Sequence, residues 1–129
     1  MLFIPHNTEN VSPPSGSYSL GLEVKNSSRL LFISGQIPEE PEGQIPTTFS
    51  EQCEVIWTNI EKLLASAGMS IANLVKVTTF LTDESQVEEN GELRRKHLGS
   101  AKPALTVIIA KTLYPQWLLE IEAIAAADD

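Results

Sequence analysis

Between positions 48 and 68 the apolar residues Phe49, Cys53, Ile56, Ile60, Leu63, Leu64 and Ala67 recur at steps of three and four. That period places them on one stripe of a long helix. Thr48 and Glu51 have the spacing of a capping box at its start, and Gly68 suits the C′ position at its end. A helix with a single apolar face must bury that face on another layer. The segments on either side supply the layer. Residues 18–25 alternate, with Tyr18, Leu20, Leu22 and Val24 on one face. Asn26, Ser27 and Ser28 read as a turn, and residues 29–36 return as a second strand, so a hairpin is expected. A proline-rich loop, residues 38–46, leads into the helix.

Residues 74–82, LVKVTTFLT, are β-branched and alternating, which predicts a third strand. Asp83, with Gln86 three residues on, caps a second helix that Gly99 closes. Its acids come first and its bases last, which complements the helix dipole, and Glu92 can pair with Lys96 at i,i+4. This charge run reads as a solvated face. Residues 104–110 make a fourth strand. Residues 117–127 stay open between a helix, which propensity slightly favours, and a strand that would put Glu120 and Glu122 on one face. The order ββαβαβ predicts a single α+β domain over residues 1–129, with two helices packed on one face of a sheet.

Composition narrows the function classes. The chain of 129 residues is 42% hydrophobic and 20% charged, as in an ordinary globular protein. It has no stretch long and apolar enough for a membrane span and no basic, apolar leader at its start. The one cysteine, Cys53, lies on the core stripe and cannot make an internal disulfide, so a cytoplasmic setting and a structural thiol are expected. Seventeen acids against nine bases give a net charge of -8, which disfavours general nucleic-acid binding. His6 and His97 stand far apart with no zinc spacing around them, and no phosphate-binding or nucleophile-elbow motif occurs. No metal and no cofactor are expected.

Three polar residues stand out beside apolar elements: Ser34, Asn90 and Glu120. Ser34 ends the apolar run of LLFISGQIP, where Gly35 and Pro38 could mark either a strand stop or a pocket floor. Asn90 could equally face solvent, and Glu120 could lie on an edge. Taken with their surroundings these positions form a pattern. The stretches Ser34-Gly35-Gln36-Ile37-Pro38, Asn59-Ile60, Ala67-Gly68, Val75-Lys76-Val77, Leu81-Thr82-Asp83, Asn90, Lys102-Pro103-Ala104 and Glu120-Ile121-Glu122-Ala123-Ile124-Ala125 occur in an order and spacing that resembles the RidA family, also called YjgF or endoribonuclease L-PSP proteins. The resemblance runs from about Tyr18 to Ala127. It implies a chorismate-mutase-like fold, a last segment that is a strand, and a homotrimer with small-molecule clefts between subunits. It also implies that Ser34 and Gly35 belong to the cleft, that Glu120 positions or activates a water, and that Tyr18, Asn90 and the residues at 105 and 107 contact the substrate.

The pattern breaks at one point. Family members that hydrolyse 2-imino acids to 2-keto acids and ammonia carry an arginine directly after Pro-Ala, which grips the substrate carboxylate; here that residue is Leu105. Val107 stands where a cysteine is common, and Leu93 where an aromatic residue is. Lys102 is the one basic residue near in sequence that could substitute. The reading is a trimeric hydrolase or deaminase of a small reactive metabolite, neutral or apolar, and not a 2-imino acid deaminase of the usual kind. Two alternatives stand beside it: a non-catalytic ligand-binding or regulatory trimer, and imine deamination that survives without the arginine. RNA cleavage is disfavoured by the charge.

Overall fold

The computed structural model describes residues 1–129. Six strands and two α-helices follow in the order β1 (Leu2–His6), β2 (Gly21–Lys25), β3 (Arg29–Gln36), α1 (Phe49–Ser66), β4 (Leu74–Leu81), α2 (Val87–Leu98), β5 (Ala104–Ile109) and β6 (Leu119–Ala127). The main sheet has the order β3-β6-β4-β5. β6 runs antiparallel to both β3 and β4, and β4 pairs in parallel with β5 through the α2 crossover. This is an α+β architecture.

Helix α1 begins as its capping residues require. The Thr48 hydroxyl accepts the Glu51 N–H at 3.3 Å, and Glu51 returns its carboxylate to that hydroxyl at 2.7 Å rather than to the Thr48 N–H. Gly68 and Gly99 follow the two helices at φ +70° and +58°, where a β-carbon is disfavoured. The buried stripe of α1 is Phe49, Gln52, Cys53, Ile56, Trp57, Ile60 and Leu64. It rests on Ile33, Leu74, Val77, Leu81 and the alternate β6 residues Leu119, Ile121, Ala123, Ala125 and Ala127. Cys53 is fully buried, and burial pushes its thiol pKa up to about 12, so it is a packing group. Leu63, counted on the stripe from sequence, is instead partly exposed.

Two expectations are corrected. β2 does not form a hairpin with β3. It pairs with β1, a strand that the short run at positions 2–4 did not suggest, in a separate two-stranded sheet. Tyr18 and Leu20 lie outside that strand, because the chain at Ser19 runs instead beside the start of β5. Residues 119–127, left open by propensity, form the strand that the resemblance implies, because β6 is the central partner of both β3 and β4. Alanine tolerates either state, and here pairing on two sides decides.

One polar side chain ties the core to its loops. Gln52, buried among apolar residues, donates from Nε2 to the Pro46 carbonyl (2.8 Å) and the Gln116 carbonyl (2.9 Å), and its Oε1 accepts the Leu118 N–H (2.8 Å). Gln52→Leu keeps the volume but leaves those backbone groups without their partner. It should destabilise the protein by about 3 kcal/mol, a loss read as a lower urea midpoint with unchanged slope. A midpoint equal to wild type would show that the loops hold themselves.

Candidate active site

The strand period dictates which residues leave the core. Leu119, Ile121 and Ala123 face α1, so Glu120 and Glu122 point to the opposite face of the sheet. Glu120 lies opposite Phe80 of β4, and Ile108 of β5 lies opposite the same Phe80. On β3 the register shifts between Ile33 and Gln36, which re-aims Ser34 and Gly35. The Gln36 amide folds back to donate to the Ser34 carbonyl at 2.9 Å, while the Ser34 side chain is exposed. Gly35 sits against Glu120 so closely that a β-carbon there would lie 2.9 Å from the carboxyl carbon. The glycine in LLFISGQIP is therefore neither a stop nor a hinge. It is the space the Glu120 side chain occupies. Burial, and then the Glu122 carboxylate, raise the Glu120 pKa above the ordinary carboxyl value.

The remaining predicted residues assemble elsewhere. Leu105 and Val107 lie opposite Val77 and Thr79, both buried under the helices, so they face the helix side of the sheet at its β5 edge. There they line a cleft of about 430 Å³ with Tyr18 and Asn90. Ser19 places Tyr18: its N–H donates to the Pro103 carbonyl (3.2 Å) and its hydroxyl to the Lys102 carbonyl (2.7 Å). The Ser15 hydroxyl at 3.5 Å, and then the Ser15 N–H that the Tyr18 hydroxyl accepts at 3.2 Å, lower the Tyr18 pKa. Asn90 is not a solvated helix residue; it is 1% exposed, and its Oδ1 has no hydrogen-bond partner.

The same cleft contains Arg94 and Arg95, which the sequence reading left on a solvated face. Arg94 follows Asn90 by one helical turn, so both project from one side of α2, and that spacing was the signal available in the sequence. Arg94 is half-buried, its Nε has no acceptor, and burial lowers its pKa. The Arg95 guanidinium lies over Gly91, where a β-carbon would come within 3.2 Å of Nη1. Neither arginine is in an ion pair, and Lys96 pairs with Glu54 at 3.6 Å rather than with Glu92. Lys102 lines a different cleft of the chain, with Phe3, Leu22 and Leu74. No group of three histidine, cysteine or acidic side chains could hold a metal.

Within one chain, then, two groups of candidate residues exist and do not meet. Ser34, Gly35 and Glu120 lie on the open face of the sheet, and Tyr18, Asn90, Leu105 and Val107 on the helix side at an edge strand. The open face also leaves Leu30 and Phe32 exposed, Phe32 at 69%, with Ile108 beside Phe80.

Residues 9–127 match the family described as Endoribonuclease L-PSP. A RutC family protein of Pyrococcus horikoshii is 36% identical over 120 residues, covering 92% of this chain and 93% of the relative. TdcF of Escherichia coli K12, provisionally named a reactive intermediate deaminase, is 28% identical over 122 residues, 92% of each chain. A crystal structure of TdcF with bound serine superposes with TM-score 0.72 at 27% identity, covering 97% of this chain and 99% of that one. The Rid family protein YyfB of Yersinia pestis shares the fold at TM-score 0.85 and 24% identity, covering 98% of this chain and 99% of that one. The chain belongs to the RidA/YjgF/endoribonuclease L-PSP family.

Proposed function

We propose that this protein is a homotrimeric, cofactor-independent hydrolase that deaminates a small reactive metabolite in clefts between its subunits. The observation that carries the reading is the separation of the two residue groups on opposite faces of the sheet. Neither makes an active site alone. A neighbouring copy that docks its open face against the β5 edge brings Ser34, Gly35 and Glu120 to Tyr18, Asn90, Leu105 and Val107. The exposed Leu30 and Phe32, with Leu113 at 84% exposure, supply apolar surface for that contact. The family relationship, and a relative named for deamination of reactive intermediates, support the class of chemistry.

The reaction follows from the groups. Ionised Glu120 takes a proton from water, and the oxygen adds to the carbon of a substrate C=N bond while the nitrogen gains a proton. The resulting carbinolamine collapses to a carbonyl compound and ammonia, with net addition of one water. The Ser34 hydroxyl and the Asn90 amide supply hydrogen bonds to the reacting group. Leu105 offers no grip on a carboxylate at the usual family position, so 2-imino acid deamination as arginine-containing relatives perform it is disfavoured.

Light scattering of the purified protein should give three times the 14.1 kDa chain mass, and Phe32→Glu should dissociate it. A wild-type monomer, or a trimer indifferent to Phe32→Glu, removes the composite site.

Ammonia release from a panel of small imines and enamines tests the chemistry. Glu120→Gln should cost about a hundredfold or more in kcat, because an amide cannot take the proton. Binding of the same compounds with no turnover of any would favour the non-catalytic alternative. Gly35→Ala, which pushes the carboxylate aside, should cost roughly tenfold in kcat with the trimer intact.

The pH profile carries a sign. A base with a raised pKa is active only above that pKa, so the acidic limb of kcat/KM should lie above the ordinary carboxyl value of 4.5. Glu122→Gln should move the limb down, since the Glu122 charge is one cause of the shift. A limb at the ordinary carboxyl position that ignores Glu122→Gln would remove Glu120 from the role of base.

A further inference from the structure

We infer that the cleft takes an organic carboxylate, gripped by Arg94 of α2 in place of a residue on β5, so the substrates of the proposed hydrolysis are small carboxylic acids. The inference rests on that reading only for the chemistry that follows binding; the anion site stands on its own geometry. Arg94 is a half-buried cation with an Nε that has no acceptor and no carboxylate in ion-pair range. A guanidinium removed from water without a partner is costly. Its flat fork of donors matches the two oxygens of a carboxylate.

One turn earlier, Asn90 Oδ1 is buried, unpartnered and on the same cleft wall. It is an acceptor, so it suits an N–H or O–H of the molecule whose carboxylate Arg94 holds. Arg95 stands over Gly91 beside them and adds positive charge, while Glu88 is the one acid lining the cleft. Leu105 and Val107 add apolar lining to the same cleft. The arrangement therefore specifies a small molecule with a carboxylate, a hydrogen-bond donor a few bonds away and little further polarity.

The test compares an acid with its neutral isostere. In isothermal titration of the assembled protein, 2-hydroxybutyrate, whose hydroxyl can donate to Asn90 Oδ1, should bind at least about tenfold more tightly than 2-hydroxybutyramide. Arg94→Ala should lose that preference while the amide binds within about twofold of wild type, and Arg94→Lys, which keeps the charge but not the fork, should retain part of it. An acid that binds no better than the amide in the wild type overturns the inference. So does an unchanged acid-to-amide ratio in Arg94→Ala, or an equal loss of both ligands.

If Arg94→Ala does not assemble, Arg94→Lys carries the test: a ratio unchanged from wild type overturns the proposal, and a reduced ratio supports it. Inorganic phosphate that competes through Arg94 better than the carboxylate would also overturn it. The two readings fail separately. Acid preference lost in Arg94→Ala with no turnover of any imine leaves the clamp and removes the hydrolase, whereas turnover without acid preference removes the clamp alone.

Discussion

The contact between α1 and β6 governs the rest of the structure. α1 presents an uninterrupted stripe from Phe49 to Leu64, and β6 answers with Leu119, Ile121 and three small residues, Ala123, Ala125 and Ala127. Alanines let the helix lie close to the sheet, while Trp57, Ile56 and Ile60 fill the volume between them. Because side chains alternate along a strand, this contact also determines what β6 shows on its other face. Shifting β6 by one residue would drive Glu120 and Glu122 into the apolar layer, so burial of the inner set keeps the two acids outside. β6 is bonded on both sides, to β3 and β4, which removes any freedom to slip. The position of Glu120 against Gly35 is thus a consequence of core packing.

Elements with a strong local period were legible from sequence. The α1 stripe, the bounds of β3, the cap at Thr48 and the glycines after both helices all emerged from spacing alone, whereas Asp83 caps the 3-10 turn Glu84–Gln86 that leads into α2 and not α2 itself. The failures have physical causes. β1 is five residues long with Pro5 inside it, too short to carry a period. β2 and β3 are joined by a hairpin-like turn, yet turn chemistry cannot say which strand a neighbour will pair with. The alanine-rich end of β6 has no local preference strong enough to resist two pairing partners. Gln52, a polar residue on an apolar stripe, was invisible to periodicity because its value lies in three backbone partners distant in sequence.

The candidate residues were legible one by one, and their arrangement was hidden. The residues Tyr18, Asn90, Leu105 and Val107 line one cleft, and Ser34, Gly35 and Glu120 gather at another place. A linear pattern cannot show that these two groups lie on opposite faces of a sheet. Arg94 was missed for a different reason. Within α2 it belongs to a run of charges that any helix surface can carry, and only the tertiary placement of Asn90 separates its face from the solvated one. Mid-helix Gly91 was a second, weaker signal, since a glycine there costs about 1 kcal/mol unless something needs the room. Here the Arg95 guanidinium needs it.

Both halves of the proposed site are electrostatically incomplete, each in the opposite sense. On the open face burial, and then the Glu122 charge, raise the Glu120 pKa, and no cation is in ion-pair range to relieve it. In the cleft burial, and then the Arg95 charge, lower the Arg94 pKa, and neither arginine has a counter-ion. An isolated chain has no use for such an arrangement, because partial desolvation penalises Glu120 and Arg94 and no ion pair offsets it. An assembly that faces the acids toward the arginines across a small apolar gap turns the defect into polarity. In the assembly we propose, the anionic end of a substrate would settle at the α2 side, with a proton acceptor of raised pKa at the other. Leu105 fits that division of labour. Facing the helix side and packed against the core, it strengthens the β5 edge, while the charge sits one layer out, on a helix side chain long enough to follow its ligand.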